Sequence, residues 1–509
     1  MMSHSMPGRD LSLGPLLLLW PVLALLLYLC APALPAQADT PGTLKKDLAN
    51  ILSDPELKAA HVGVVVDSLT TGQRIFGYNA EKRFVPASNM KLFTTAAALL
   101  VLSPDFRWET RLLMDGPVIS GTLHGDIIVE GSGDPTISGY FHDGDVLHVF
   151  RQWADKLKER GVRQIAGDLV IDNSAFTGRP YGTGWDMDTT SCFGAPRDAF
   201  TFNNNCIQLD ITPPARAGEE TLFAMEPATD YVRLVRDITS RKDAGVDTVN
   251  LEYTTQRTLS VTGSIGPGNR MITRYVAVNH PACFGGFVFR ETLEATGITV
   301  EGDILCARNC PKTVDVRARR EKGAWKIVSV YHSPRLAEII KVVNKLSNNL
   351  YAELLLLATG RAAGATGTGG SAAAALAVLR RAGVDTSSVI MVDGSGLSRH
   401  DLVTPDSVAR LLTIMAEGPH SRCFIDSLPI MSVDGTLGVR LKGSRAAERI
   451  RAKTGTMTHI RGLSGYLTTM KGERLAFSIF SNNHVTTPAV DAATDRIILR
   501  LLDYSSPER

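Results

Sequence analysis

Apolar and polar residues follow two rhythms along this chain, one of helical period and one of strict alternation, and the rhythm changes twice. An almost unbroken apolar run covers Leu16 to Leu34, and a short amphipathic stretch follows from Leu44 to Leu57. Val62 to Val66 predicts a strand, and Gln73 to Phe76, after a turn, predicts its hairpin partner. Ser88 opens a run through Leu102 that is rich in Ala and Leu and free of Gly and Pro, which predicts a helix. Between about 105 and 326, short segments such as Ile127–Glu130, Asp168–Ile171, Thr248–Tyr253 and Thr258–Thr262 are separated by Gly, Pro and Asn clusters, a β-rich pattern. Helical spacing returns at Leu336–Lys345, Leu350–Thr359 and Ala372–Ala382. Strands around Leu463–Thr468 and Leu475–Phe480 and a helix from about Ala489 to Leu502 close the chain. No internal repeat is visible, and the Gly/Ala/Thr stretch Ala362–Gly370 reads as a loop. The pattern predicts one α/β unit, 39–104 and 327–509, split by a β-rich insertion at 105–326.

The first apolar run follows a segment carrying Arg9 and precedes Ala36-Gln37-Ala38, the small-x-small pattern that a signal peptidase accepts. Residues 1–38 therefore read as a signal peptide cleaved after Ala38. An uncleaved anchor is the alternative, because the run is about long enough to cross a bilayer. Pro21, Pro32 and Pro35 suit an export signal better than a spanning helix, and bulky Leu29 disfavours a lipid anchor on Cys30. Either reading exports the body of the chain to the periplasm or cell envelope. Export changes the meaning of the cysteines. Of seven, loss of Cys30 leaves six in an oxidising space: Cys192, Cys206, Cys283, Cys306, Cys310 and Cys423. Cys192–Cys206 is the preferred pair, and a bridge among Cys283, Cys306 and Cys310 is open. Cys306 and Cys310 as half a metal site is the sharper alternative, but no His or Cys pair elsewhere in the sequence completes it.

Composition narrows the class. The 509 residues are 44% hydrophobic and 21% charged, enough to bury several cores and unlike a disordered chain. Lys+Arg of 54 against Asp+Glu of 52 excludes nucleic-acid phosphates as the main partner, and loss of the leader leaves the balance unchanged. A mean hydropathy of +0.03 argues against a polytopic membrane protein.

Three short motifs carry chemistry. Ser88-Asn89-Met90-Lys91 places a hydroxyl and an amine on one helix face, where a neutral lysine can take the serine proton. Burial lowers a lysine pKa, so such a base can exist at neutral pH. A bare Ser-x-x-Lys arises about once by chance in a chain of this size and would otherwise be a helix cap beside a surface lysine. Ser347-Asn348-Asn349 offers a second hydroxyl for proton relay and an amide to hold lysine and substrate, its plain alternative again being a helix cap. A rival copy, Ser481-Asn482-Asn483, reads as a strand end. Lys453-Thr454-Gly455, followed by Thr456, supplies a cation for a substrate carboxylate and a glycine that lets a ligand lie against the strand.

In this order the three motifs resemble those of penicillin-recognising serine acyltransferases. The segments Val85–Ser88, Asp393–Arg399, Asp434–Leu437 and Ala452–Thr456 resemble the low-molecular-mass class C penicillin-binding proteins, which are D-alanyl-D-alanine carboxypeptidases and endopeptidases. The 258 residues between Ser88 and Ser347 exceed what a compact β-lactamase needs and are similar to that family's inserted domains. The resemblance implies a β-lactamase/transpeptidase-like domain, an antiparallel sheet flanked by helices, split by an insertion with a smaller nested domain near 212–272. It implies Ser88 as nucleophile, Lys91 as base, and Ser347 and Asn349 as the second catalytic motif. It implies Lys453, Thr454, Gly455 and Thr456 as substrate-binding, with the N–H groups of Ser88 and Thr456 as oxyanion hole. Some members also bind the free end of diaminopimelate, and those contacts map onto Asp188, Arg399 and Thr458, the last replacing a glutamine. Peptidoglycan stem peptides are the implied substrates and β-lactams the implied covalent inhibitors, with no metal or organic cofactor. Assembly of identical copies is left open. Two other readings are a β-lactamase-like hydrolase and a non-hydrolytic penicillin-binding scaffold; the large insertion argues against the first and Lys91 against the second.

Overall fold

The computed structural model describes residues 41–185, 190–242 and 245–505; the leader and Asp188 lie outside them. Strands β1 (His61–Ser68), β2 (Arg74–Tyr78), β3 (Ile450–Met457), β4 (Ile460–Thr468) and β5 (Arg474–Asn482) form one antiparallel sheet in the order β3-β4-β5-β1-β2. Both faces of this sheet are covered, which explains why β1 and β5 read as nearly continuous apolar runs rather than clean alternation. One face carries Val62, Val64, Leu463 and Ile479 against the helix Pro41–Leu52 and the closing helix Thr487–Leu501. The other carries Phe480, Tyr466 and Ala476 against α1 (Met90–Leu102), α2 (Leu336–Lys345), α3 (Asn349–Ala362) and the helices Gly367–Arg381 and Pro405–Glu417.

The intervening region has its own core. Its first and last strands, Glu109–Met114 and Lys326–His332, pair antiparallel, so the chain leaves and rejoins the main body at one place. Both belong to a five-stranded sheet in which Ile127–Glu130, Leu169–Asp172 and Ile304–Cys306 run parallel. Further out, Cys206–Thr212, Leu222–Glu226 and Ile272–Ala277 form a three-stranded sheet. Arg233–Ser240, Thr248–Tyr253 and Thr258–Ile265 form another. Two helices that the β-rich pattern did not predict, His148–Glu159 and Pro281–Ala295, pack into the same core.

Cys192 is bonded to Cys206, the preferred pair, and Cys306 to Cys310. Cys283 keeps its thiol, with the sulfur atoms of Cys283, Cys306 and Cys310 within 4.8 Å of one another, and Cys423 is a thiol apart from them.

Candidate active site

Ser88 sits in one turn of 3₁₀ helix, Ala87–Asn89, and the α-helix proper starts at Met90. The serine is thus presented just ahead of the helix N-terminus rather than as its cap. Lys91, one turn on, is fully buried, and its Nζ meets Ser88 Oγ at 2.8 Å, Asn349 Oδ1 at 2.6 Å and the Ser395 carbonyl at 2.7 Å. Two of these partners can only accept, so two N–H bonds point at them. The third tetrahedral position faces the serine hydroxyl: an N–H when the lysine is charged, a lone pair when it is neutral. Burial pushes the Lys91 pKa down to about 7, against the opposing pull of Asp393, Glu353 and Asp401.

Those three buried acids also build the wall behind the lysine. Glu353 Oε1 accepts the N–H groups of Gly394 (3.0 Å) and Ser395 (2.8 Å), and its Oε2 accepts from Arg197 Nη1 at 2.9 Å. Asp393 accepts from Ser395 N–H (3.1 Å), Gly396 N–H (2.6 Å), Ser398 N–H (2.8 Å) and Trp185 Nε1 (2.7 Å). Burial and the adjacent Asp393 hold the Asp401 carboxyl well above the usual carboxylate range. The turn so fixed is pressed onto the segment that carries Ser88. Gly396 has φ +77°, and a Cβ there would lie 1.8 Å from the Ala87 carbonyl oxygen. Gly396→Ala is therefore expected to displace the turn or Ser88; loss of penicillin labelling with retained folding, followed by gel and circular dichroism, checks it.

In the second motif the cap is Asn348, whose Oδ1 accepts from Tyr351 N–H at 3.0 Å to start α3. Ser347, with φ +58°, is thereby left to meet Lys453 Nζ at 2.9 Å. Lys453 is fully buried on β3, and burial first, then the nearby Lys91, lower its pKa well below the ordinary lysine range. Thr454 Oγ1 donates to Thr436 Oγ1 at 2.8 Å.

Ser88, Ser347, Thr454, Gly455 and Thr456 line one cleft of about 370 Å³, with Arg440 and Arg461 further along it. A larger cavity of about 600 Å³, beside Trp108, Arg111 and Arg361, has Ser174 bonded to the Asp172 carboxylate but no serine paired with a lysine in its lining. Chemistry, not size, therefore selects the smaller one. Eight of the residues singled out from the sequence thus come together: Ser88, Lys91, Ser347, Asn349 and the strand Lys453–Thr456. Arg399 is exposed beside the Trp185 loop, its N–H donating to the Gly184 carbonyl at 3.3 Å, and Thr458 is exposed in the β3–β4 turn. Neither lines the cleft, and Asp188 lies outside the described residues. Sequence reasoning missed Glu353 and Arg197. The signal for Glu353 was there: it is a lone charge in the apolar run Leu350–Thr359.

A serine hydrogen-bonded to a buried lysine, at the junction of an antiparallel sheet and its helical layer, is the arrangement of a serine hydrolase of transpeptidase-like fold. The chain belongs to the D-Ala-D-Ala carboxypeptidase 3 (S13) family, which matches residues 44–502. It is 33% identical over 492 residues to a D-alanyl-D-alanine carboxypeptidase of Actinomadura sp. (strain R39), covering 93% of this chain and 88% of the relative. It is 27% identical to D-alanyl-D-alanine carboxypeptidase DacB of Haemophilus influenzae, covering 84% and 87%. The crystal structure of penicillin binding protein 4 (dacB) from Haemophilus influenzae superposes with a TM-score of 0.77 at 25% identity, over 90% of this chain and 99% of that one. The protein is a serine-type D-Ala-D-Ala carboxypeptidase.

Proposed function

We propose that the enzyme works after export, on peptidoglycan stem peptides, through an acyl-enzyme on Ser88. The observation that carries this reading is the Lys91 triangle, two acceptors and one serine hydroxyl. Neutral Lys91 takes the Ser88 proton as Oγ attacks the penultimate D-Ala carbonyl. The N–H groups of Ser88 and Thr456 stabilise the oxyanion. Ser347, paired with Lys453, returns a proton to the leaving amine, which is D-Ala or a cross-linked peptide. Lys453 and Thr454 hold the terminal carboxylate, and an arriving carboxylate favours the protonated form of Lys453. Water then hydrolyses the ester. No step calls on a metal or organic cofactor. A β-lactam enters the same sequence as a covalent inhibitor, a reading supported by a β-lactam complex of the Haemophilus influenzae protein. Asp188, Arg399 and Thr458 are proposed to read the third residue of the stem peptide. Residues 1–38 are proposed to be the cleaved export signal.

Residues 39–509 incubated with a fluorescent penicillin are expected to carry one adduct, on the peptide containing Ser88. Digested peptidoglycan is expected to lose D-Ala, cross-links or both. An adduct elsewhere removes Ser88 as nucleophile. Unchanged muropeptides favour a scaffold, and fast penicillin turnover without peptide cleavage favours a β-lactamase.

A further inference from the structure

We propose that the Cys192–Cys206 disulfide, with Asn204, positions the second motif, so that the acyl-transfer site is complete only in the oxidised protein. The inference rests on the reading of Ser88 and Lys91 above and concerns groups that touch neither substrate nor nucleophile.

Both amides of the motif are anchored on the disulfide-closed loop 192–206. Asn349 presents Oδ1 to Lys91, and its Nδ2 donates to the Phe193 carbonyl at 2.9 Å. An amide has one accepting and one donating end, so the Phe193 carbonyl decides which end faces the lysine. A turned amide would set N–H groups against the Lys91 N–H groups. Asn348, whose Oδ1 caps α3, donates through Nδ2 to Asn204 Oδ1 at 3.1 Å. The loop that supplies these acceptors holds three consecutive non-glycine residues at positive φ: Asn203 (45°), Asn204 (57°) and Asn205 (56°). Such a run is unfavourable for an unsupported chain. It is kept by Asn205 Nδ2 on the Pro196 carbonyl (2.8 Å), Phe202 N–H on Asn205 Oδ1 (3.3 Å) and Asn203 Nδ2 on the Cys206 carbonyl (3.1 Å). Cys206 is buried and opens the strand Cys206–Thr212, whereas Cys192 opens the single turn that carries Phe193. The disulfide therefore ties the turn that carries Phe193 to the first residue of the strand.

The test uses the full exported chain and the acylation rate constant with a fluorescent penicillin. Reduction by an external dithiol, which is itself oxidised as the S–S bond becomes two thiols, is followed by alkylation and intact mass. Acylation is expected to slow at least 10-fold. Its pH midpoint is expected to rise, because an opened site rehydrates Lys91 and burial is the main cause of its low pKa. The variant Cys306→Ser/Cys310→Ser is expected to acylate like wild type and to keep this response, assigning it to Cys192–Cys206. Asn204→Ala, which leaves the disulfide in place, is expected to slow acylation about 5-fold or more. Asn204→Asp, which keeps an acceptor for Asn348, is expected to restore it to within twofold. Wild-type rates after complete reduction, or in Asn204→Ala, overturn the proposal. An oxidised wild type that takes no label takes down the acyl-enzyme reading and this one together, whereas a labelled wild type indifferent to reduction sinks the disulfide role alone.

Discussion

Replacing Lys91 with arginine is expected to slow acylation of Ser88 by roughly 10²–10⁴-fold at neutral pH, the usual worth of a general base, and Ser88→Ala to abolish it. Arginine keeps the positive charge and much of the length but does not deprotonate in proteins. It therefore separates two roles that alanine would remove together, electrostatic support and proton acceptance. The geometry requires the second. With the Asn349 and Ser395 oxygens taking two N–H bonds, the remaining direction points at the Ser88 hydroxyl, and it is useful only as a lone pair. The pH dependence follows with a definite sign. Because burial holds Lys91 near 7, the lysine is protonated and inactive below that pH and a free base above it. Wild-type acylation is expected to rise through about pH 7 and level off, while Lys91→Arg stays low and flat. Stopped-flow labelling between about pH 5.5 and 8.5 checks this, and a flat wild-type profile would remove Lys91 as the base. The same shift acts on stability. Between about 7 and 10.5 the unfolded chain binds the proton that the folded chain does not, so this group's contribution to stability rises with pH across that window.

The groups proposed to react were legible because they are linear. Ser88 and Lys91 are one helical turn apart, and Lys453, Thr454 and Gly455 are consecutive on a strand, so the chemistry is written in spacing. What orients them is not linear. The Ser395 and Phe193 carbonyls are backbone atoms with no side-chain signature, and the Arg197–Glu353 pair joins residues 156 positions apart. The fold divides the same way. The apolar strands of the main sheet stood out, as did its helices, Leu336–Lys345 by its period and Asn349–Ala362 by a Leu- and Ala-rich run that is buried on every side. In the insertion, Pro281–Ala295 is helical despite a Gly285-Gly286 pair that lowers helix propensity. Tertiary packing overrides it, since a Cβ at 285 would meet the Phe200 ring at 2.6 Å and one at 286 would meet Ile304 at 2.9 Å. The helix His148–Glu159 does carry its period in Val149, Phe150, Trp153 and Leu157, but the alternating segments on either side masked it.

Arg197→Met is expected to destabilise the protein by about 3–5 kcal/mol, the cost of stranding a buried charge. Glu353 is fully buried on α3 and Arg197 nearly so on the insertion, and their 2.9 Å contact crosses between the two bodies. Arg197 also donates to Thr368 Oγ1 at 2.9 Å, so its loss loosens the insertion from the helical layer. The effect should reach the chemistry as well, because Glu353 fixes the Ser395 turn whose carbonyl holds Lys91. Burial, then Asp393, already raise the Glu353 pKa, and Arg197 is the largest influence opposing them, ahead of the hydrogen bonds from Ser395. Without the arginine the folded state gains affinity for a proton, so the variant should regain stability as the pH falls. Adding Glu353→Gln to Arg197→Met removes the stranded charge and is expected to recover part of the loss at pH 7 while leaving acylation slow. The amide binds Gly394 and Ser395 less strongly than the carboxylate. Urea unfolding of the two single variants and the double variant at two pH values gives the coupling energy directly. A melting curve for Arg197→Met that matches wild type at both pH values would mean that the insertion is held by its apolar contacts alone.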